Sequence, residues 1–336
     1  MSPLTSAPLV ATPINALAPP NISALSWQLR TVHLRLASPG ELAPWLGPAL
    51  RGLVAGRLKA RVCRHSPAER ASRWQYCGGC PYMTECAYGQ TFEPDPPAEA
   101  ARVFRGQLDV ARPVVLAPYY PLAGRAEAGG ELPVKLVAVG ERAGQHADAL
   151  LAALADVGRA PGIGPDRVTF ELPPAGPDDC QQGILTTADL PATPDALPGT
   201  LPRVGVGLTS PLFLNQRDDR GRRRPIERPE FGDLFRAALR TVGRRFALYA
   251  SELPADFAAL KQAAEEVRRV DDCFAPFEQV KWSSRAKDRY ALRGCDGGAV
   301  FADVPPALVP WLYSGGRLHV GTHRVAGAGG WRLVLE

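Results

Sequence analysis

Residues 27–59 read WQLRTVHLRLASPGELAPWLGPALRGLVAGRLK, and the reading of this run decides the fold. Its first ten residues set Trp27, Leu29, Thr31 and His33 against Gln28, Arg30, Val32 and Leu34, a period of two that predicts a strand. Ser38, Pro39 and Gly40 stop that strand. Leu42, Trp45, Leu46, Leu50, Leu53 and Leu58 then recur at helical spacing and predict an amphipathic helix over residues 41–59. Strands over 103–115, 132–139 and 167–172 and a helix over 145–157 complete the order β-α-β-β-α-β, the ferredoxin-like arrangement shared by many RNA-binding modules.

Outward from this unit, residues 1–25 are rich in Pro, Ala and Ser without a stable period and read as an extended or disordered leader. The N-terminal domain runs over 26–172 with a cysteine insertion at 61–94, and a Pro, Gly and Asp-rich stretch over 173–202 reads as a linker. A second unit over 203–336 opens with a strand at 203–214. It continues with a helix at 229–250, whose apolar face is Phe231, Leu234, Phe235, Ala238, Leu239, Val242, Phe246 and Tyr249. A helix over 254–269, strands near 279–284 and 298–303, a short helix after Pro305 and a strand over 331–335 repeat the same order. The expected fold class is α+β: two ferredoxin-like (RRM-like) domains in tandem with a small zinc-knuckle insertion in the first.

With 33 Gly and 34 Pro among 336 residues, many loops join short elements, which argues against a long helical bundle. The net charge of +5 is modest for the length, so its distribution matters more than its size. Arg217, Arg220, Arg222, Arg223, Arg224 and Arg228 face only Asp218, Asp219 and Glu227 and predict an exposed basic loop. Arg236, Arg240 and Arg244 lie four residues apart and form a stripe on one helix, usually a solvated face. No apolar run approaches bilayer length and no charged-then-apolar leader pattern opens the chain, which predicts a cytoplasmic protein without a membrane partner.

Seven cysteines suit a reducing compartment and metal binding better than a disulfide framework. Cys77 and Cys80 form a Cys-x-x-Cys knuckle with Gly78 and Gly79 inside its turn, Cys86 follows, and Cys63 lies upstream. Four soft ligands suit a tetrahedral structural zinc with no position open for substrate. His65 is the alternative to Cys63 as fourth ligand, and an iron–sulfur cluster or a redox pair are the alternatives to zinc. Cys180, Cys273 and Cys295 are scattered and read as buried thiols.

The segment 314–330 crowds Gly315, Gly316, Gly321, Gly327, Gly329 and Gly330 among Arg317, His319, Thr322, His323 and Arg324. Missing side chains let backbone N–H groups approach an anion, and the cations attract phosphate; a bland hairpin connection is the alternative reading. No Walker loop is present.

Five pieces, in this order, carry a family resemblance: LRGLVAGRL (50–58), CGGCPYMTECAYGQTFE (77–93), GLTSPLFL (207–214), VKWSSR (280–285) and WLYSGGRLHVGTHRVAGAGGW (311–331). The chain resembles the CRISPR endoribonucleases that process precursor CRISPR RNA, members of the RAMP superfamily, in a branch with a four-cysteine insertion. The resemblance implies two ferredoxin-like domains, a basic cleft, a glycine-rich loop on the RNA, and CRISPR repeat RNA or mature crRNA as partner, with other effector subunits besides. It also implies cleavage without metal by the ribose 2′-OH, leaving a 2′,3′-cyclic phosphate. His319 matches the family's His-Val-Gly tail motif and His323 follows it, so the pair is the predicted catalytic set, with a structural or RNA-contacting role for His319 an equal alternative. Lys281, Arg285, Arg289, Gly321, Arg324, Gly327, Gly329, Arg51 and the loop Arg222, Arg223 and Arg224 are the predicted RNA-binding residues, with Trp282 as a stacking or core aromatic. Many family members place a base on the first helix, whereas residues 41–59 here hold neither His nor Tyr. A non-catalytic RAMP subunit and a zinc-containing DNA-binding protein are the rival readings.

Overall fold

The computed structural model describes residues 24–66, 68–69, 77, 79–94, 111–122, 124–174, 176, 179–251, 253–283 and 288–336, with the side chains of 282 and 283 excepted. In the first half, β1 (Ala24–Leu36), α1 (Gly47–Val62), β2 (Val114–Pro118), β3 (Glu131–Val139), α3 (Ala147–Arg159) and β4 (Phe170–Glu171) follow one another, with a short α2 (Ala87–Phe92) after the cysteines. The sheet runs β2-β3-β1-β4, all antiparallel. That spatial order is the ferredoxin-like arrangement read from the sequence.

The period of two in β1 sorts its side chains. Val32, Leu34 and Leu36 point to the core under α1 and α3, while Leu25 belongs to the core shared with the second half. Helix α1 begins at Gly47 rather than at residue 41, because Pro44 opposes helix at the residue before it and Pro48 is tolerated only in the first turn. Leu50, Val54 and Leu58, four apart, form its buried face.

The stretch read as a linker contains β5 (Cys180–Thr186), which pairs antiparallel with β1 and extends the first sheet. Of the strand predicted over 103–115, only Val114 and Val115 lie in β2; residues 103–110 lie outside the described residues.

The second half repeats the plan with β6 (Leu201–Leu208), α4 (Phe231–Tyr249), β9 (Arg268–Asp272), β12 (Gly298–Val304), α6 (Val309–Leu318) and β13 (Trp331–Leu335), in the sheet order β9-β12-β6-β13. Numbered within each unit, both sheets read 2-3-1-4, so the chain is an α+β protein with two ferredoxin-like domains in tandem. A capping box of Glu230 and Asp233 starts α4, and its predicted apolar face is buried except for the partly exposed Tyr249.

Two additions escaped the periodicity. A hairpin of β7 (Asn215–Arg217) and β8 (Arg223–Pro225) carries the basic loop, and a long hairpin of β10 (Ala275–Ser283) and β11 (Asp288–Asp296) is inserted between β9 and β12. The helix predicted over 254–269 ends earlier, as α5 (Phe257–Glu265), and its last residues belong to β9 instead.

The domains share one core. Leu25, Val115, Val137 and Val139 of the first sheet pack with Phe235, Phe246, Trp311 and Leu318 of the second domain's helices. Arg245 is wholly buried in α4 and donates to the carbonyl of Leu318 at the end of α6. The connection from α6 to β13 reaches across to the first domain. A Cβ on Gly327 would lie 2.4 Å from the Ala117 Cα, and one on Gly47 would lie 1.9 Å from the Ala326 carbonyl oxygen. Gly327 also has φ +80°, where an L side chain is strained.

Gly327→Ala is therefore expected to destabilise the protein by about 2 kcal/mol or more. Gly52→Ala, where nothing lies within 4 Å of the added atom in α1, is expected to stabilise by ~0.5–1 kcal/mol. Urea unfolding of the two variants checks both signs.

Candidate nucleic-acid interface

The glycine-rich connection is seated in protein. Gly327, Gly329 and Gly330 are buried. A Cβ on Gly329 would lie 2.1 Å from the Val320 carbonyl oxygen, and one on Gly321 would lie 2.6 Å from that of Phe213. The predicted role of Gly327 and Gly329 as bare backbone for phosphate is thus corrected: their missing side chains admit other parts of the same chain. Gly321 stands half-buried at the rim, and Thr322 beyond it is exposed.

The predicted histidine pair meets different neighbours. His319 is 7 % exposed, takes φ +58°, and donates from Nδ1 to the Ala328 carbonyl oxygen at 3.1 Å. Gly330 leaves room for its ring, since a Cβ there would lie 2.7 Å from the His319 Cε1. Burial, chiefly, lowers its pKa to about 4. This imidazole latches the connection to itself and does not face solvent, so its predicted catalytic place next to His323 does not follow from this geometry.

His323 faces a different environment. It initiates the 3-10 turn Arg324–Ala326 with φ +59°, and its ring meets that of Phe213 edge-on at 5.3 Å. Burial, then Lys281 and Arg51, lower its pKa to about 4. The two cations come from different places: Arg51 from α1 of the first domain, Lys281 from β10 of the second. Like the more deeply buried His319, which is near Arg245 and Lys135, His323 thus stands under the influence of cations from both domains. Beneath it, Trp45, Phe213 and Phe277 form an aromatic cluster, and Gln279 of the hairpin donates to the Trp45 carbonyl at 3.0 Å. Those contacts dock the β10–β11 hairpin on the first domain and so bring Lys281 to the site.

The remaining predicted contacts are scattered around this point. Arg324 is half-buried and donates to the Gly321 carbonyl at 3.3 Å. Arg289 is exposed on β11, and Lys281 lies over the Tyr290 ring at 5.8 Å. Arg222, Arg223 and Arg224 are exposed on the β7–β8 hairpin, where Asp218 pairs with Arg222 at 3.0 Å and Arg224 at 3.2 Å. Between the two hairpins lies a cleft of about 400 Å³ lined by Arg224, Phe277 and Arg293. Arg285 and the Trp282 side chain lie outside the described residues. The helical stripe is partly neutralised, since Arg236 pairs with Asp233 at 2.5 Å and with Glu265.

A second cationic group went unread in the sequence. Lys135 on β3, Arg317 on α6 and Arg332 on β13 face one another across the domains, and burial followed by Arg332 and Arg317 lowers the Lys135 pKa. Arg317 lies over the Trp27 ring at 4.6 Å. Only the meeting of the two domains brings these three together, so no run of basic residues signals them.

The cysteine insertion folds against α1. Cys63, His65, Cys77, Cys80 and Cys86 line one cavity of about 40 Å³. His65 Nε2 lies 3.3 Å from Cys80 Sγ, and Gly89 N–H points at Cys86 Sγ at 3.5 Å. Burial and Glu93 raise the Cys77 thiol to about 11, opposed by Lys59 beside it. Among the described residues no three His, Cys, Asp or Glu side chains are drawn together closely enough to hold an ion as they stand. Gly78 lies outside the described residues. Of the scattered thiols only Cys295 is buried; Cys180 and Cys273 are exposed, correcting the expectation for those two.

The chain thus combines tandem ferredoxin-like domains, an interdomain glycine-rich connection and two inserted hairpins. A family model described as AF_1859_N, N-terminal domain, matches residues 25–183. A Cas6 product complex superposes with TM-score 0.51 at 15 % identity, covering 93 % of this chain and 100 % of that one. The partial Cas6-RT-Cas1–Cas2 complex superposes with TM-score 0.53 at 11 % identity, over 94 % of this chain and 47 % of that one. No curated protein matches. Among the described residues no helix is long and apolar enough to cross a membrane.

Both histidines bind protons more weakly folded than unfolded, so the unfolded state holds more protons between about pH 4 and the ordinary histidine value of roughly 6.5. Stability therefore falls as pH drops through that window. Unfolding midpoints measured from pH 7 to pH 4 are expected to fall less steeply in His319→Asn than in the parent.

Proposed function

We propose that the chain is an endoribonuclease that cuts CRISPR repeat RNA through attack of the ribose 2′-OH, leaving a 2′,3′-cyclic phosphate and a 5′-hydroxyl. The observation that carries this reading is the placement of one neutral imidazole, His323, under the influence of Arg51 and Lys281 from opposite domains. A neutral ring is the form that accepts the 2′ proton, and approach of the anionic backbone raises its basicity by offsetting the two cations. Arg51 and Lys281 then oppose the charge gathering on the phosphorane, and the Lys281 ammonium supplies the proton to the leaving 5′ oxygen. The ribose provides the nucleophile, so the reaction needs no metal-bound water.

Substrate grip is assigned to the flanking cations. Arg289, Arg324 and the Arg222, Arg223 and Arg224 hairpin hold phosphates on one side, and Lys135, Arg317 and Arg332 hold them on the other. Fold likeness to Cas6 supports this as analogy; on the same analogy other CRISPR effector subunits are the proposed protein partners. We also propose that the thiol cavity takes one structural zinc ion among its four thiols and His65. Filled by protein ligands, such a zinc holds the insertion on α1 and leaves no position for substrate.

A second reading, an RNA-binding RAMP subunit without cleavage, is favoured by one observation: α1 (Gly47–Val62) holds neither His nor Tyr. Incubation of repeat RNA with the protein in EDTA separates them. Cleavage to a cyclic-phosphate end is expected. Binding without cleavage sinks the nuclease and supports the subunit, and preference for duplex DNA sinks both. His323→Ala is expected to lose about 10²–10⁴-fold in cleavage rate with affinity retained. Arg51→Ala and Lys281→Ala are each expected to weaken binding and to reduce the slope of log affinity against log salt by about 1.

A further inference from the structure

Four thiols and one imidazole line the cavity, and a tetrahedral ion that drew them together would take four, so one of the five stands outside the set. The imidazole has the stronger claim than the upstream thiol. In a tetrahedral zinc site with Zn–S near 2.3 Å and Zn–N near 2.05 Å, the bound nitrogen and sulfur stand about 3.5 Å apart. His65 Nε2 is already 3.3 Å from Cys80 Sγ, and its ring is largely withdrawn from solvent.

The other ring nitrogen supports the same assignment. His65 Nδ1 faces Glu69 Oε2 at 4.0 Å, and that carboxylate is held by the Ser66 N–H at 2.8 Å. A sulfur before one nitrogen and a carboxylate facing the other is the arrangement that, once drawn to hydrogen-bond distance around a bound ion, fixes the tautomer of the histidine. Charge points the same way. Three thiolates and one neutral imidazole around a divalent ion leave a single negative charge, and Lys59, 5 % exposed and beside Cys77, offsets it.

Resting on the structural zinc reading above, we infer that the ion is held by Cys77, Cys80, Cys86 and His65, with Cys63 outside the set and Glu69 orienting the histidine. Cys63 then serves α1, whose final turn it ends by donating its backbone N–H to the Lys59 carbonyl at 3.0 Å. An imidazole in the set also selects zinc over a four-iron cluster, which takes four thiolates.

The test is metal analysis of the full-length chain followed by replacement of zinc with Co²⁺, whose visible bands move to longer wavelength as sulfur replaces nitrogen. The parent is expected to hold one ion per chain with the bands of a three-sulfur, one-nitrogen site. Cys63→Ser is expected to keep both the ion and that spectrum. His65→Cys is expected to keep the ion and shift the bands to those of an all-thiolate site, which guards against a variant that merely fails to fold. Glu69→Gln is expected to weaken affinity by about 10-fold in competition with a chromophoric chelator. A spectrum that changes in Cys63→Ser and not in His65→Cys overturns the assignment while leaving the zinc reading intact. A parent that takes up no zinc, or that carries an iron chromophore, overturns both.

Discussion

The rest of the structure depends on how closely the connection between α6 and β13 approaches the first domain. Gly327 lies against β2 and Ala326 against Gly47 at the start of α1, at separations that admit no side chain. Such an approach is all-or-none, because a tightly packed interior yields little to an added methyl group. Everything that distinguishes the interdomain face follows from it. The turn Arg324–Ala326 is pinned between the domains, His323 is fixed at its start in a left-handed conformation, and Arg51 of α1 is brought within electrostatic reach.

Charge in this chain is not where the sequence crowds it. The densest basic runs are partly neutralised by their own neighbours, with Asp218 serving Arg222 and Arg224 and with Asp233 and Glu265 serving Arg236. The clusters at Arg51, Lys281 and His323 and at Lys135, Arg317 and Arg332 are assembled from different elements, and their members depress one another's proton affinity or that of the imidazole between them. Like charges gathered in a partly buried setting cost stability unless an anion offsets them, and a nucleic-acid backbone is an anion of matching extent.

The cysteine insertion joins this face through α1. Cys86 precedes α2, and at the end of α2 the buried Phe92 ring lies 5.6 Å from the Arg51 guanidinium. At its other side, Lys59 near the end of α1 lies over the Tyr88 ring at 4.9 Å. The insertion thus packs on the helix that presents Arg51, so the zinc proposed there would act on the architecture and not on the chemistry.

The sequence by itself determined the repeating βαββαβ plan, because periods of two and 3.6 are local and survive in Trp27 to Leu36 and in the apolar face of α4. It also determined the thiol cluster, whose members lie close along the chain. It misjudged residues 180–186, since a strand that pairs at an edge among Pro, Gly and Asp carries no period of its own, and it treated one strand of the β10–β11 hairpin as part of the main sheet. Tertiary structure alone decided that His319 is buried while His323 stands half-buried near Arg51 and Lys281, and which glycines lie against backbone of the same chain. Those outcomes turn on distances between elements a hundred or more residues apart, such as Gly327 on Ala117 and His323 near Arg51, and no local pattern encodes them.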